Sequence, residues 1–407
     1  MSAPGAVNYE TFSFAANPQG EQQPTGTTTT EKGRRRSSAR GRSSPKHQVV
    51  ALVLSKSGPL AAEQWKTVTP LVVYTLQEEL GLRRSLSIPR RFLDETNASE
   101  NDGLVPTDHQ STTTPEKPSP SHPCRILELS IPLPQKTPLP DLAQCSVISK
   151  ALAIVSLCQR NDIELVIQPH SLYLAHRTPG LAVFDMDSTL IQQEVIDELA
   201  RAVGRYAEVS AITEAAMRGE APYTDFEASL RARVGLLAGV PTSIWDHLRT
   251  GIITFTPGAR ELLRMLKKLG WKTAVLSGGF TPLAMWVKSE LGLDYCFANH
   301  LVESNGVLTG ELVAGMPIIH ATKKRELLEE IANAEGIPLD NVIAVGDGSN
   351  DLLMMHKAGL GIAFNAKPKV QLQAPVKLNA AGLLDVGYIL GYSVDEVTEL
   401  SQQGTVW

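Results

Sequence analysis

The 407-residue sequence predicts an α/β protein in two parts: a small α+β sandwich, then a parallel sheet covered by helices on both faces. Three observations carry this. From Leu181 onward, short apolar runs of strand length alternate with helical periodicity. An independent order of strand, helix, strand, strand, helix, strand precedes them. The first two strands of the later sheet are separated by about ninety residues, too many for a simple crossover, and 195–250 is largely helical in pattern.

The elements follow in order. Residues 1–46 are dominated by Gly, Pro, Ser, Thr, Gln and Arg and lack the apolar periodicity that would offset ordering entropy, so a disordered tail is expected. The composition changes at Val49-Val50-Ala51-Leu52-Val53-Leu54, an apolar run of strand length followed by a helix around 60–80 and a strand near 85–92. Arg125 to Ile131 alternates apolar with polar residues, as a half-buried strand does. A helix near 139–158 and a strand at 163–167 complete a ferredoxin-like βαββαβ module over 47–170. Residues 94–123, rich in Ser, Thr, Pro and Asp, form an expected disordered insertion in its hairpin.

The second part spans 178–395, with strands at 181–184, 273–276, 342–345 and 360–364, a helical cap at about 195–255, and a tail at 396–407. A fully buried parallel strand reads as a continuous apolar run, and these four do. A cap inserted between two strands is placed to close over a site at their ends.

Composition narrows the function. With 38 basic and 43 acidic residues the formal charge is −5, which offers no general attraction to nucleic acid or to an anionic membrane. Cys124, Cys145, Cys158 and Cys296 have neither CxxC spacing nor His partners, so buried thiols in a reducing compartment are expected. No apolar run approaches bilayer-spanning length, and a cytoplasmic protein is expected. Arg34-Arg35-Arg36, followed by Ser37 and Ser38, reads as a solvated basic patch, with a targeting or phosphorylation segment as the alternative.

The chemistry concentrates at strand ends. In Val183-Phe184-Asp185-Met186-Asp187-Ser188-Thr189, two carboxylates follow a buried-type strand, where open α/β sheets bind ligands. Two such acids repel unless a cation lies between them, and hard oxygen donors suit Mg²⁺. One carboxylate can attack phosphorus while the second protonates the leaving oxygen and later activates water. A second cluster, Gly346-Asp347-Gly348-Ser349-Asn350-Asp351, follows another strand, so Asp185 and Asp347 can share one Mg²⁺. Ser277-Gly278-Gly279 ends a third strand and offers a hydroxyl and backbone N–H groups to phosphate. Lys324 supplies a point charge for both the Asp185 carboxylate and phosphate oxygens. Each motif alone has a plain reading as a turn or a solvated helix face; their combination in this order argues for catalysis.

That order resembles the haloacid dehalogenase superfamily. The longer Asp185-Met186-Asp187-Ser188-Thr189 motif with Glu194, together with Ser277-Gly278-Gly279-Phe280 and the stretch Phe226 to Val234, is similar to the phosphoserine phosphatase family. The resemblance implies a Rossmann-like core with a helical cap. It implies Asp185 as nucleophile, Asp187 as acid/base and metal ligand through its backbone carbonyl, and Asp347 as the third ligand to Mg²⁺. Ser277, Gly278 and Lys324 would bind phosphate, Lys324 rather than Lys323 because it stands twenty-three residues before Asp347. Glu194, Phe226 and Arg233 would recognise a small phosphorylated amino acid, and Asn350 and Asp351 would complete the acidic loop. The amino-terminal sandwich resembles ACT-like regulatory modules, which implies an amino-acid effector or a homodimer contact. Two other functions compete: hydrolysis of another small phosphomonoester, and a regulatory or interaction role with residual phosphatase activity.

Overall fold

The computed structural model describes residues 47–83, 88–94, 120 and 123–402. The expected tail 1–46 and nearly all of the expected insertion lie outside these residues.

The first sheet is built from β1 (Gln48–Ser55), β2 (Arg90–Phe92), β3 (Ile126–Pro132) and β4 (Ile163–Pro169), in the antiparallel order β2-β3-β1-β4 of a ferredoxin-like sandwich. Helix α1 (Ala62–Glu79), then α2 (Leu142–Ser149) and α3 (Leu152–Asn161), cover one face, where Trp65, Val72 and Leu76 meet Val49, Ala51 and Val53. The alternate residues Val50, Leu52 and Leu54 point the other way and join the core of the second part of the chain. Every residue of β1 is therefore buried, which is why its sequence is an unbroken apolar run.

Two expectations for this part need correction. Of the strand expected near 85–92, residues 85–87 lie outside the described residues, Ile88 and Pro89 are not strand, and Arg90–Phe92 is. The helix expected over 139–158 is two helices bent by 60° at Lys150-Ala151. Pro140 and the Asp141 cap, whose carboxylate accepts from Gln144 N, delay its start to Leu142. The bend lets Lys150 Nζ reach the Ala374 carbonyl at 2.6 Å, a contact a straight helix run would not supply.

Helix α4 (His170–Ala175) leads to β5 (Leu181–Phe184), the centre of a six-stranded parallel sheet. The cap follows as α5 (Val195–Ala202), α6 (Tyr206–Arg218), α7 (Phe226–Gly235) and α8 (Ile244–His247). The chain then re-enters the core through α9 (Ala259–Lys268), β6 (Lys272–Phe280), α10 (Thr281–Leu291) and β7 (Tyr295–Asn299). A hairpin that the sequence did not suggest, β8 (Leu301–Ser304) and β9 (Val307–Leu312), braces the cap: Gly239 N donates to Leu308 O and Leu308 N to Val240 O, both at 2.8 Å. The remainder runs α11 (Ala321–Ala334), β10 (Val342–Gly346), α12 (Leu352–Lys357), β11 (Leu360–Phe364), α13 (Pro368–Gln373), β12 (Val376–Leu378), α14 (Val386–Ile389) and α15 (Val394–Ser401). The strand order is β12-β11-β10-β5-β6-β7, so the three motif-bearing strands β10, β5 and β6 are neighbours.

The expected domain limits differ from the observed packing. The first part of the tail expected from 396 belongs to α15 through Ser401, which packs on α9, with Arg264 Nε donating to Ser401 O at 2.7 Å; residues 403–407 lie outside the described residues. The two expected domains also share one core. Val50, Leu52, Leu54, Val166 and Tyr173 cluster with Val386, Ile389 and Tyr392, and Arg125 pairs with Asp385 across the seam. No single described helix is long and apolar enough to cross a membrane.

Candidate active site

Strand β5 delivers Asp185 to the carboxyl edge of the sheet, where its N–H donates to Val345 O and so continues the ladder to β10. The next residues leave the strand in a tight turn in which Ser188 takes φ 54°, a left-handed value costly for a side chain other than glycine and found at functional turns. Met186 N donates to Asp185 Oδ1 at 2.7 Å, and Lys324 Nζ approaches the same oxygen at 2.8 Å. Both contacts fall on Oδ1.

Lys324, on the first turn of α11, is wholly buried, as is Asp351, whose Oδ1 accepts from Lys324 Nζ at 2.6 Å. Asp351 Oδ2 accepts from Gly348 N at 3.0 Å. Burial alone would lower the ammonium's pKa, but Asp185 and Asp351 outweigh it and hold it above its ordinary value. The carboxylates respond oppositely: burial, then the Asp185 charge, pushes Asp347 up to about 8 and Asp351 up to about 7. Asp187 is raised well above the carboxylate range, first by burial, then by Glu194 and Asp185. Its Oδ1 has no hydrogen-bond partner among the described residues.

Ser277, where β6 breaks register between Leu276 and Phe280, is buried, and its Oγ accepts from Gly279 N at 2.8 Å. Gly279 must be glycine: a Cβ there would lie 2.8 Å from Asp187 Oδ2. Asn350 and the Phe226 ring flank Gly278; a Cβ at Gly278 would stand 3.4 Å from Phe226 Cζ and 3.8 Å from Asn350 Nδ2. The cap thus lies directly over the loop at Gly278. Arg233, also on α7, is partly buried and has no ion pair within 4.0 Å among the described residues. It donates to Ser229 O and Thr213 Oγ1, and desolvation lowers its pKa against the pull of Glu194 and Asp197. Glu194 is exposed, yet protein around its carboxyl raises its pKa, and Ser188 Oγ donates to it at 2.7 Å.

The named residues therefore converge, with Asp185, Lys324, Asp347 and Asp351 at the floor, Ser277, Gly278 and Asn350 beside them, and Phe226, Arg233 and Glu194 on the wall. Sequence reading missed Asn299, which is buried, donates from Nδ2 to Gly278 O at 2.8 Å and accepts Ile319 N at 2.9 Å, tying the phosphate-type loop to the approach of α11. A single Asn at a strand end carries no signal by itself. Thr189, inside the motif, was also passed over; its hydroxyl lies 3.4 Å from Asp347 Oδ1.

The donor set fits a hard divalent cation. Carboxylate oxygens of Asp185, Asp347 and Asp351 lie within 4.8 Å of one another. Both Asp351 oxygens are already engaged by Lys324 and Gly348, whereas Asp185 and Asp347 have hydrogen-bond or ion-pair contacts given on one oxygen each, so these two are the better carboxylate donors.

The model of the haloacid dehalogenase-like hydrolases matches residues 182–356, which hold every residue of the floor. Over 252 residues, 62% of this chain and 71% of the relative, the sequence is 44% identical to a phosphoserine phosphatase of Archaeoglobus fulgidus. Over 207 residues, 51% of this chain and 91% of the relative, it is 50% identical to a phosphoserine phosphatase of Idiomarina loihiensis. The chain belongs to the phosphoserine phosphatase family of haloacid dehalogenase-like hydrolases. Members of this family differ in what surrounds the catalytic part: the Idiomarina match is confined to about half of this chain. A crystal structure of a HAD family hydrolase from Salmonella enterica subsp. enterica serovar Typhi aligns over 88% of this chain and 100% of its own, with 26% identity and a TM-score of 0.60. That span exceeds the catalytic part and takes in the amino-terminal sheet.

Proposed function

We infer that this protein hydrolyses O-phospho-L-serine to L-serine and phosphate, the closing step of a phosphorylated route to serine, through an aspartyl-phosphate on Asp185. The observation that carries the substrate is that Arg233, partly buried and without an ion pair among the described residues, lies within the electrostatic reach of Glu194, which Ser188 ties to the nucleophile loop. A zwitterionic amino acid brings one anion and one cation out of water, and each needs an opposite charge to offset desolvation. Arg233 meets the carboxylate in a planar fork, Glu194 meets the ammonium, and Phe226 covers the carbon chain between them.

The floor determines the chemistry. With Asp185 Oδ1 held by Met186 N and Lys324, the other oxygen is left to attack phosphorus in line with the serine oxygen. Lys324, Ser277 and the Gly278 N–H hold the phosphoryl oxygens. Asp187, whose pKa is raised by burial and then by the Glu194 and Asp185 charges, gives its proton to the departing serine oxygen. It then takes a proton from the water that attacks the phospho-Asp185, returning phosphate and the free carboxylate. Mg²⁺, held by Asp185, Asp347 and the Asp187 backbone carbonyl, would spread the phosphoryl charge when bound.

For the amino-terminal sandwich the antiparallel order β2-β3-β1-β4 supports an ACT-like role, with an amino-acid effector or a homodimer contact, in a cytoplasmic enzyme. The substrate is tested by comparing kcat/KM for O-phospho-L-serine with that for glycerol phosphate and sugar phosphates. A preference of about 100-fold or more is expected from two charges, Arg233 and Glu194, that the other esters leave unmatched. Equal turnover of all three would refute the assignment.

A further inference from the structure

The loop after β11 carries a lysine that no part of the mechanism uses. Lys367 stands at the mouth of the cleft, with Nζ 3.5 Å from Sδ of Met217 near the end of cap helix α6. Its charge also acts on Glu194 and on Asp197 of α5, offsetting part of the rise that burial gives each carboxyl. This exposed lysine of the catalytic part thus faces cap helices α5 and α6, with Met217 150 residues away in sequence.

The turn that presents Lys367 is fastened with unusual care. Asn365 adopts φ 44°, a conformation that Asn tolerates better than most residues. Its N–H donates to Leu378 O at 2.9 Å, its Nδ2 to Ala380 O at 2.9 Å, and its Oδ1 accepts from Ala380 N at 3.0 Å. Ala366 O accepts from Gln371 Nε2 at 2.6 Å, and the same Gln371 amide exchanges hydrogen bonds with Asn379. Residues 378–380 therefore clamp the turn from both sides.

That clamp is held in turn by the amino-terminal module. Glu164, on β4 and only 3% exposed, accepts from Asn379 N at 2.7 Å and from Asn379 Nδ2 at 3.0 Å, with Lys377 Nζ at 3.4 Å. A buried carboxylate satisfied by one residue's backbone and side chain together fixes that residue's position and orientation. An unbroken run of hydrogen bonds and adjacent residues joins Glu164 to Lys367.

We propose that Lys367 is a positioning residue that holds the cap over the substrate, and that Glu164 of the amino-terminal module sets where Lys367 stands. The module thereby reaches the catalytic cleft without touching it. This extends the proposed phosphoserine hydrolysis, on which it rests for its substrate.

The test uses the full chain and steady-state kinetics on O-phospho-L-serine and on phenyl phosphate, with melting temperature as a check on folding. Lys367→Ala should raise KM about threefold to tenfold, the scale of one partly solvated contact, with a smaller change in kcat. Lys367→Arg should restore most of the loss, and Lys369→Ala, an exposed charge two residues on in α13, should change neither constant. Glu164→Gln should raise KM in the wild-type background and add nothing to Lys367→Ala. If Glu164→Gln does not fold, Gln371→Ala cuts the same tie and should be silent beside Lys367→Ala in the same way. An unchanged KM in Lys367→Ala, or effects that multiply in the double variant, would overturn the proposal. If the wild type hydrolyses phenyl phosphate but not phosphoserine, the substrate assignment falls, and the same KM comparison on phenyl phosphate decides the positioning role.

Discussion

At the scale of single residues, the active site is a problem of buried charge. Asp185, Asp351 and Lys324 share a space with almost no water, and Lys324 is the group that makes two adjacent carboxylates tolerable. Removing one partner from such a set leaves an uncompensated charge. Lys324→Met is therefore expected to lower stability by about 3–5 kcal/mol as well as abolish turnover. Urea unfolding checks it, and a variant as stable as wild type would show that the pairing is not what holds these groups. Much of this site was legible in the sequence because three of its four motifs are contiguous and follow predicted strands, whereas Lys324 lies on a helix. The grouping of Asp351 with Lys324 was not, because it depends on how α11 lies against the loop after β10. Asn299 was hidden for the same reason: its two partners, Gly278 and Ile319, come together only when β6 and β7 pair.

At the scale of elements, the parallel strands declared themselves by unbroken apolar runs, whereas short edge strands and hairpins did not. Strand β12 has three residues, and the β8–β9 hairpin carries polar residues on its open side, so neither builds a periodic pattern long enough to read. The turn after α4 adds a testable consequence. His176 is fully buried, neither ring nitrogen has a hydrogen-bond partner among the described residues, and burial pushes its imidazole down to about 4. An unfolded histidine titrates near 6.5, so below that pH the unfolded chain takes up a proton that the native state refuses. Stability should fall as pH is lowered from about 6.5 towards 4, by about 2 kcal/mol between pH 7 and pH 5 from this group alone. His176→Phe should remove that part of the pH dependence in a series of melting curves. A variant with the wild-type slope would assign the acid sensitivity elsewhere.

At the scale of the whole molecule, the amino-terminal sheet and the catalytic part are two folds with one core. The full burial of β1 makes this visible in retrospect: a ferredoxin-like sheet with one solvated face would alternate, and Val49 to Leu54 does not. The seam is closed by Arg125 with Asp385, by Gln168 Nε2 on Ile389 O at 2.9 Å, and by Val394 N on Leu93 O at 2.8 Å. Chemical denaturation should therefore give a single transition, coincident by fluorescence and by loss of activity. Leu52→Ala, on the shared face of β1, should shift that transition as a unit, by about 2–5 kcal/mol. Two separable transitions would mean that the parts are merely adjacent.

All of these consequences depend on the reaction, and the most direct test of it is phosphate release from O-phospho-L-serine by the wild type and by Asp185→Asn, each with Mg²⁺ and with a chelator. Release by the wild type alone, and only with the metal, is expected. Release by a folded Asp185→Asn variant at the wild-type rate, or none from wild type with Mg²⁺, would contradict it.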